Sequence, residues 1–245
     1  MYDLQALLEL AVDLASRAGA MLMEGFDTRS ATVDTKTSAT DMVTELDRAS
    51  EAFIVEGLAK VRPDDGVLGE EGASRDGTSG VRWVIDPLDG TTNYLYGLPA
   101  FAVSIAAEVN GRSVVGVVAD PSHDEMFTAT EGGGAHRNGK AIAVSGASDL
   151  ATALVATGFG YRRDQRSRQA LILTEVLPAV RDLRRYGAAA LDLCWVACGR
   201  LDAYYEAGIQ HWDVAAGGLI ALEAGAHVEG LDQVGAGSDS ARVIA

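Results

Sequence analysis

The sequence predicts an α+β protein, and three observations carry that expectation. Two amphipathic helical segments open the chain. A run of short β-like segments separated by strong turn signals follows them. From about residue 147 onward, strand-like and helix-like segments alternate.

Taken in order, Leu4, Leu7, Leu8, Ala11, Val12 and Ala15 recur at the helical period, so residues 4–23 read as a helix that Asp3 caps and Gly25 helps to end. Residues 28–41 are rich in Thr, Ser and Asp and suit a mobile loop or hairpin. A second helix is expected from Glu45 to Val61, with Leu46, Ala49, Phe53, Leu58 and Val61 on its apolar face and Pro63 closing it. Short strands are expected at Val67–Leu68, Val81–Ile85, Phe101–Ala107, Val114–Ala119, Glu125–Ala129 and Ala141–Val144, in a mostly antiparallel meander. Gly132-Gly133-Gly134 and Asn138-Gly139 mark its turns. Beyond them, Ala153–Thr157, Asp202–Glu206 and Ala226–Val228 read as strands. Gln165–Leu177, Ala188–Ala197 and Asp213–Ala224 read as helices, punctuated by Pro178, Gly199 and Gly225. A soft boundary near Ser145–Asp149 divides an N-terminal α+β half, residues 1–146, from a C-terminal α/β half, residues 147–245. The sequence stops soon after Arg242-Val243-Ile244-Ala245 with no closing helix, so a C-terminal tail is expected to be missing.

Composition narrows the function classes. With 20 basic and 35 acidic residues the net charge is −15, which argues against general nucleic-acid binding and against anionic membranes, both of which need a positive patch. No apolar run reaches the roughly 18 residues of a membrane span. Met1-Tyr2-Asp3 carries no basic leader, and a reducing cytoplasm is the simplest expected location. Cys194 and Cys198, four apart in an apolar stretch, suit one helix face better than a disulfide or a metal knuckle.

Three acidic clusters stand out: Gly69-Glu70-Glu71-Gly72, the segment Trp83 to Asn93, and His211-Trp212-Asp213-Val214-Ala215-Ala216-Gly217. In the second, an apolar strand delivers Asp86 at its end, Pro87 stops the strand, and Asp89 follows three residues later, so a tight turn brings two carboxylates together. Two close carboxylates repel unless one is protonated or a cation lies between them. A hard divalent ion such as Mg²⁺ fits oxygen ligands, and Asp86 is placed to bridge two of them. The Leu88 carbonyl and the Thr91 hydroxyl are further oxygen donors, and Gly90-Thr91-Thr92 offers backbone amides to an anion. Each cluster alone has a plainer explanation. Asp86-Pro-Leu-Asp-Gly reads equally as a polar turn, Glu70 as a solvated turn acid, Asp213 as a helix N-cap, and Trp212 as core packing. The four histidines, 123, 136, 211 and 227, have no ligand spacing and read as surface or satisfied polar residues. No serine or cysteine has an evident base partner, which disfavours covalent catalysis.

Taken together and in this order, the three clusters resemble the inositol monophosphatase family of Mg²⁺-dependent, lithium-sensitive phosphatases. The stretch Lys36 to Asp47, Gly187-Ala188-Ala189-Ala190 and Ala203-Tyr204-Tyr205-Glu206 are similar to the family as well, so that the likeness spans residues 4 to 228. The resemblance implies a layered αβαβα sandwich, a homodimer, and two or three Mg²⁺ ions per site. Asp86 is implied to bridge two ions, with Glu70, the Leu88 carbonyl and Thr91 completing one site and Asp89 and Asp213 the other. Glu70 is also implied to hold a third ion through water. Thr91, hydrogen-bonded to Asp47, is implied to orient the attacking water, and the Gly90 and Thr91 amides to hold the phosphate. Glu206 and the turn of Gly187, Ala188 and Ala189 are implied to face the alcohol part, and Lys36 to sit on a mobile loop near the metals. The implied reaction is hydrolysis of myo-inositol monophosphate to inositol and phosphate, the partner being a small phosphate monoester. Relatives that act on histidinol phosphate, fructose bisphosphate or phosphoadenosine nucleotides keep those substrates as alternatives. The cluster of Arg162, Arg163, Arg166 and Arg168, or Arg184-Arg185, would serve a second charge. Family members with roles at the transcription machinery keep a non-catalytic interaction protein as the less favoured alternative.

Overall fold

A computed structural model of the protein describes residues 2–28, 33–35, 42–231 and 242–245. Helix α1 (Leu4–Thr28) leads through a short antiparallel pair, β1 (Val33–Thr35) and β2 (Met42–Thr44), into α2 (Glu45–Val61). The chain then enters a sheet through β3 (Gly66–Gly69), β4 (Ser74–Arg75) and β5 (Val81–Asp89), breaks for α3 (Thr91–Tyr96), and returns as β6 (Ala102–Val109), β7 (Arg112–Asp120), β8 (Glu125–Thr130), β9 (Gly134–Arg137) and β10 (Lys140–Ala141). The eight strands lie in the order β10-β9-β8-β7-β6-β5-β3-β4, antiparallel except for the β3–β5 pair.

The remainder alternates as expected: β11 (Leu154–Thr157), α4 (Arg163–Val176), β12 (Asp182–Arg184), α5 (Ala189–Ala197), β13 (Ala203–Ala207), α6 (His211–Glu223) and β14 (Arg242–Ile244). Its four strands form a second sheet, β12-β11-β13-β14, with β11 parallel to both neighbours and β14 antiparallel to β13. Alternate residues of this sheet face opposite ways: Ala156 and Tyr204 join α5, α6 and the large sheet in one core, whereas Val155, Ala203 and Tyr205 pack with Val176 of α4. A separate core lies between α1, α2 and the other face of the large sheet. The layers are therefore helices, eight-stranded sheet, α5 and α6, four-stranded sheet, α4, which is the expected αβαβα sandwich. No helix among the described residues is long and apolar enough to cross a membrane.

Several local expectations are corrected. Helix α1 runs through Gly25. A Cβ there would collide with Leu46 Cδ1 and stand 2.7 Å from the Tyr94 hydroxyl, so the glycine permits close approach and does not end the helix. The buried face of α2 is Asp47, Ser50, Glu51, Ile54 and Leu58, whereas Val61 is 62% exposed. Pro87 does not stop β5; the strand continues to Asp89, and its ladder with β6 is broken only between Asp86 and Asp89. Residues 142–144 and 226–228 are not strands. The first follows the β9–β10 hairpin, and the second leads only to an isolated bridge between Glu229 and Ile244.

Candidate active site

Helix α2 supports the site from beneath with a buried polar stripe. Glu51 accepts hydrogen bonds from the Glu71 N–H (2.8 Å) and the Ala73 N–H (2.9 Å), which fixes the turn carrying Glu70 at the end of β3. The Ser50 hydroxyl donates to the Pro87 carbonyl (3.1 Å), inside the stretch where β5 leaves its ladder. Asp47 Oδ2 stands 3.5 Å from Thr91 Oγ1, which is also 3.0 Å from the Leu88 carbonyl. One hydroxyl proton thus has two acceptors, and the shorter contact is to Leu88.

Beyond the break in β5 the chain turns sharply. Gly90 has φ +88°, a left-handed value, and a Cβ there would lie 2.7 Å from the Ala100 carbonyl, so only glycine fits between Asp89 and α3. Asn93 in α3 donates to the Ala100 carbonyl (2.7 Å) and the Tyr186 carbonyl (2.6 Å), tying this turn to the segment that leads into Gly187. Asp89 Oδ2 accepts from the Ala190 N–H (2.7 Å) in the first turn of α5, so a residue of the large sheet satisfies a helix start in the other half. Asp213 is the third residue of α6 and accepts from the Gln210 N–H (2.7 Å), while the Gln210 side chain reciprocates in a capping box. The same helix start is anchored by His211, whose Nε2 lies 2.6 Å from Glu108; Glu108 also accepts from Arg82 (2.6 Å).

These elements meet around a cleft of about 460 Å³ lined by Glu70, Asp86, Leu88, Asp89, Gly90, Thr91, Gly187, Ala189, Glu206, Trp212 and Asp213, together with Phe159, Tyr161, Arg162, Gln165 and Arg185. Five carboxylates share it. Burial, and then the neighbouring charges of Glu70, Asp89 and Asp213, push Asp86 well above the ordinary carboxylate range. Burial likewise raises Asp213 well above that range, with Glu70 and Asp89 adding to the effect. Burial raises Asp89 to about 7; Glu70 and Glu206 add to the shift, and the Ala190 amide partly offsets it. Glu206 is raised by burial, against a 2.7 Å hydrogen bond from the Tyr204 hydroxyl and the nearby charge of Arg185. A cleft in which acids resist ionisation because of one another gains stability from a cation.

Among the described residues, no three His, Cys, Asp or Glu side chains are already arranged to hold a metal ion by themselves. Asp86, Asp89 and Asp213 each commit one oxygen to a backbone amide. The remaining donors around an ion therefore include the Leu88 carbonyl, the Thr91 hydroxyl and water, a mixed oxygen set of the kind Mg²⁺ favours.

Of the residues singled out in the sequence, Glu70, Asp86, Leu88, Asp89, Gly90, Thr91, Gly187, Ala189, Glu206 and Asp213 line this cleft. Asp47 is fully buried behind Thr91. Ala188 is buried as the N-cap of α5 and does not reach the cleft. Lys36 lies outside the described residues, as does Asp41. Trp212 packs against the core between the two sheets, as expected, and also lines the cleft. Sequence reasoning missed Ser50, Glu51, Gln165 and Asp192. The first two lie on the same helix face as Asp47 at i+3 and i+4, a signal that a search for apolar periodicity passes over.

A layered αβαβα fold with an acid-lined cleft where its two sheets' helices and turns meet defines a class of its own. The family described as "Inositol monophosphatase family" matches residues 3–245, and the chain belongs to that family. It is 50% identical over 205 residues to the inositol-1-monophosphatase SuhB of Mycobacterium tuberculosis, covering 80% of this chain and 71% of the relative. It is 42% identical over 221 residues to the Nus factor SuhB of Escherichia coli, covering 89% and 83%. The crystal structure of the extragenic suppressor protein suhB from Bartonella henselae superposes with a TM-score of 0.91 at 38% identity, covering 98% of this chain and 93% of that one.

Proposed function

We propose that the protein is a Mg²⁺-dependent phosphomonoesterase that hydrolyses myo-inositol monophosphate to inositol and phosphate. The observation that carries this reading is the meeting of Glu70, Asp86, Asp89 and Asp213 in one cleft beside the Gly90–Thr91 turn. Their donors are all hard oxygens, which suits Mg²⁺. Asp86, Glu70, the Leu88 carbonyl and Thr91 would hold one ion, and Asp86, Asp89 and Asp213 a second. Bound there, Mg²⁺ supplies Lewis-acid neutralisation of the phosphate oxygens and lowers the pKa of water.

The chain's own residues do the rest. The main-chain amides of Gly90 and Thr91 hold the phosphate. With its proton turned to Asp47, the Thr91 hydroxyl presents a lone pair to the attacking water, and Glu70 is a second acceptor for it. The water oxygen forms the new bond to phosphorus as the bond to the alcohol oxygen breaks, and the water's proton balances the departing alkoxide. Gly187, Ala189 and the Glu206 carboxylate border the space left for the alcohol, where Glu206 can accept hydrogen bonds from ring hydroxyls.

The test is phosphate release from inositol 1-phosphate, histidinol phosphate, fructose 1,6-bisphosphate and 3′-phosphoadenosine 5′-phosphate, with Mg²⁺ and with chelator. Inositol 1-phosphate is expected to give the highest kcat/KM, with activity abolished by chelator; preference for another ester would reassign the substrate. A second reading, an interaction protein with secondary catalysis, draws on the relatives called Nus factor. The variant Asp89→Asn separates the two: loss of phosphate release together with the biological role supports the enzyme, whereas a fully retained role supports the interaction protein.

A further inference from the structure

Helix α4 carries two glutamines one turn apart, and the fold uses them differently. Gln169 is 7% exposed and fastens the loop behind the cleft: its Oε1 accepts from the Gly160 N–H (3.0 Å) and its Nε2 donates to the Ala207 carbonyl (3.1 Å). Gln165, one turn nearer the helix start, lines the cleft itself. Among the described residues its side chain makes one hydrogen bond, a long one of 3.4 Å from Nε2 to the same Ala207 carbonyl, which Gln169 already holds more closely. The Gln165 amide can therefore leave Ala207 without stranding a buried acceptor. Gln210, the other amide on the cleft wall, is committed to the Asp213 N–H in the capping box.

Bare backbone sets where this amide lies. A Cβ on Gly160 would collide with Gln165 Oε1, one on Gly208 with Gln165 Nε2, and one on Gly158 with Glu206 Oε2. The Gln165 amide and the Glu206 carboxylate thus rest on the same loop between β11 and α4, over glycines two residues apart. Their chemistry is complementary. An ionised carboxylate only accepts, and Glu206 already accepts from the Tyr204 hydroxyl (2.7 Å). A substrate hydroxyl that gives its proton to Glu206 keeps lone pairs that no carboxylate of the cleft can satisfy. The Gln165 amide supplies an N–H for them and adds no charge, and each of the two bonds polarises the other.

From this geometry we infer that Gln165 is a specificity-determining residue whose amide donates to a hydroxyl of the alcohol while that hydroxyl donates to Glu206. A site built to hydrogen-bond a hydroxyl rejects the analogue that lacks it, because its polar groups are then left unpaired. Gln165 and Glu206 together would thus favour esters of polyols over esters of alcohols with no further hydroxyl. The inference rests on the phosphatase reading above and assigns a residue of α4 to the reading of the alcohol.

Inositol 1-phosphate and cyclohexyl phosphate share a six-membered ring and one phosphate and differ in the free hydroxyls of the ring. Steady-state phosphate release in Mg²⁺ is measured on both for the wild type, Gln165→Leu and Gln165→Glu. The wild type is expected to have the higher kcat/KM on inositol 1-phosphate. Gln165→Leu keeps much of the side chain's bulk and loses its hydrogen bonds. It should lower that preference about fivefold, the size of one neutral hydrogen bond, with kcat/KM on cyclohexyl phosphate within about twofold of the wild type. Gln165→Glu keeps an acceptor without the N–H and should lower the preference as well; it carries the test alone if Gln165→Leu folds poorly. A preference retained in either folded variant overturns the inference, as does an equal loss on both esters, which marks a structural role. A wild type that hydrolyses the two esters alike also overturns it and leaves the phosphatase reading standing. Release of phosphate from no ester at all removes both.

Discussion

Asp192 sits in the middle of α5 with 1% of its surface exposed, and neither carboxylate oxygen has a hydrogen-bond partner. Burial, reinforced by Glu206 and Asp89 and opposed by Arg185, raises its pKa well above the ordinary value. A carboxyl whose folded pKa is raised destabilises the fold as pH climbs above the unfolded pKa, because the unfolded chain releases the proton first; below the unfolded value the penalty vanishes. Asp192→Asn is therefore expected to raise the melting temperature by a few degrees at pH 8 and to leave it nearly unchanged at about pH 3, as thermal denaturation at the two pH values would show. At Thr91, the 3.5 Å approach of Asp47 has a kinetic consequence. Asp47→Asn is expected to lower kcat about 100-fold with KM within about threefold, because in the proposed mechanism the Asp47 carboxylate and the Thr91 hydroxyl orient the water and do not hold the ester. A KM effect of the same size would show that Asp47 serves binding. Asp86 and Asp89 were legible because an apolar strand running into Asp-Pro-Leu-Asp puts two carboxylates three residues apart at one strand end. Asp192 was not, since an acid within Ala189–Ala197 shows only in three dimensions that it has no way to water.

At the scale of the element, α2 shows where sequence periodicity points the wrong way. Its ends, Glu45 and Val61, match the expectation, but its buried face does not. Counting only apolar residues selects Leu46, Ala49, Phe53, Leu58 and Val61. The true face is Asp47, Ser50, Glu51, Ile54 and Leu58, polar in its first two turns because those turns support Thr91, Pro87 and the Glu70 turn. Buried polar residues with fixed partners carry periodicity as apolar ones do, but their partners lie 20 to 44 residues away and only the fold reveals them. Glu51→Ala leaves the Glu71 and Ala73 amides without their acceptor. It is expected to cost about 2–4 kcal/mol in urea denaturation and to lower phosphate release along with it. A loss below about 0.5 kcal/mol would show that the turn stands without α2. Helix α1 offers a parallel case. Gly25 resembles a helix terminator but is the point where α1 meets Leu46 and Tyr94, so Gly25→Ala should destabilise by about 1–3 kcal/mol in the same assay. The short edge strands β4, β12 and β14 escaped sequence reading because two or three residues carry too little alternation to register.

Across the whole molecule, the two halves meet in one core, where α5 and α6 pack between the sheets and the Asp89–Ala190 bond crosses from one half to the other. Their alternation and meander were legible in the sequence pattern; the order of the layers was legible only through the family resemblance, because periodicity shows which face is apolar and never what it meets. With a net charge of −15, the overall field repels a phosphate ester, and the five acids of the cleft would repel it further. The fold accommodates them if some keep a proton or if cations occupy the space they share. The most direct test is titration calorimetry of Mg²⁺ into the chelator-treated protein and into Asp86→Asn at neutral pH. Saturable binding to the wild type that weakens at least tenfold in the variant is the expected result. No binding to the wild type, or equal binding to both, would contradict a cation site centred on Asp86.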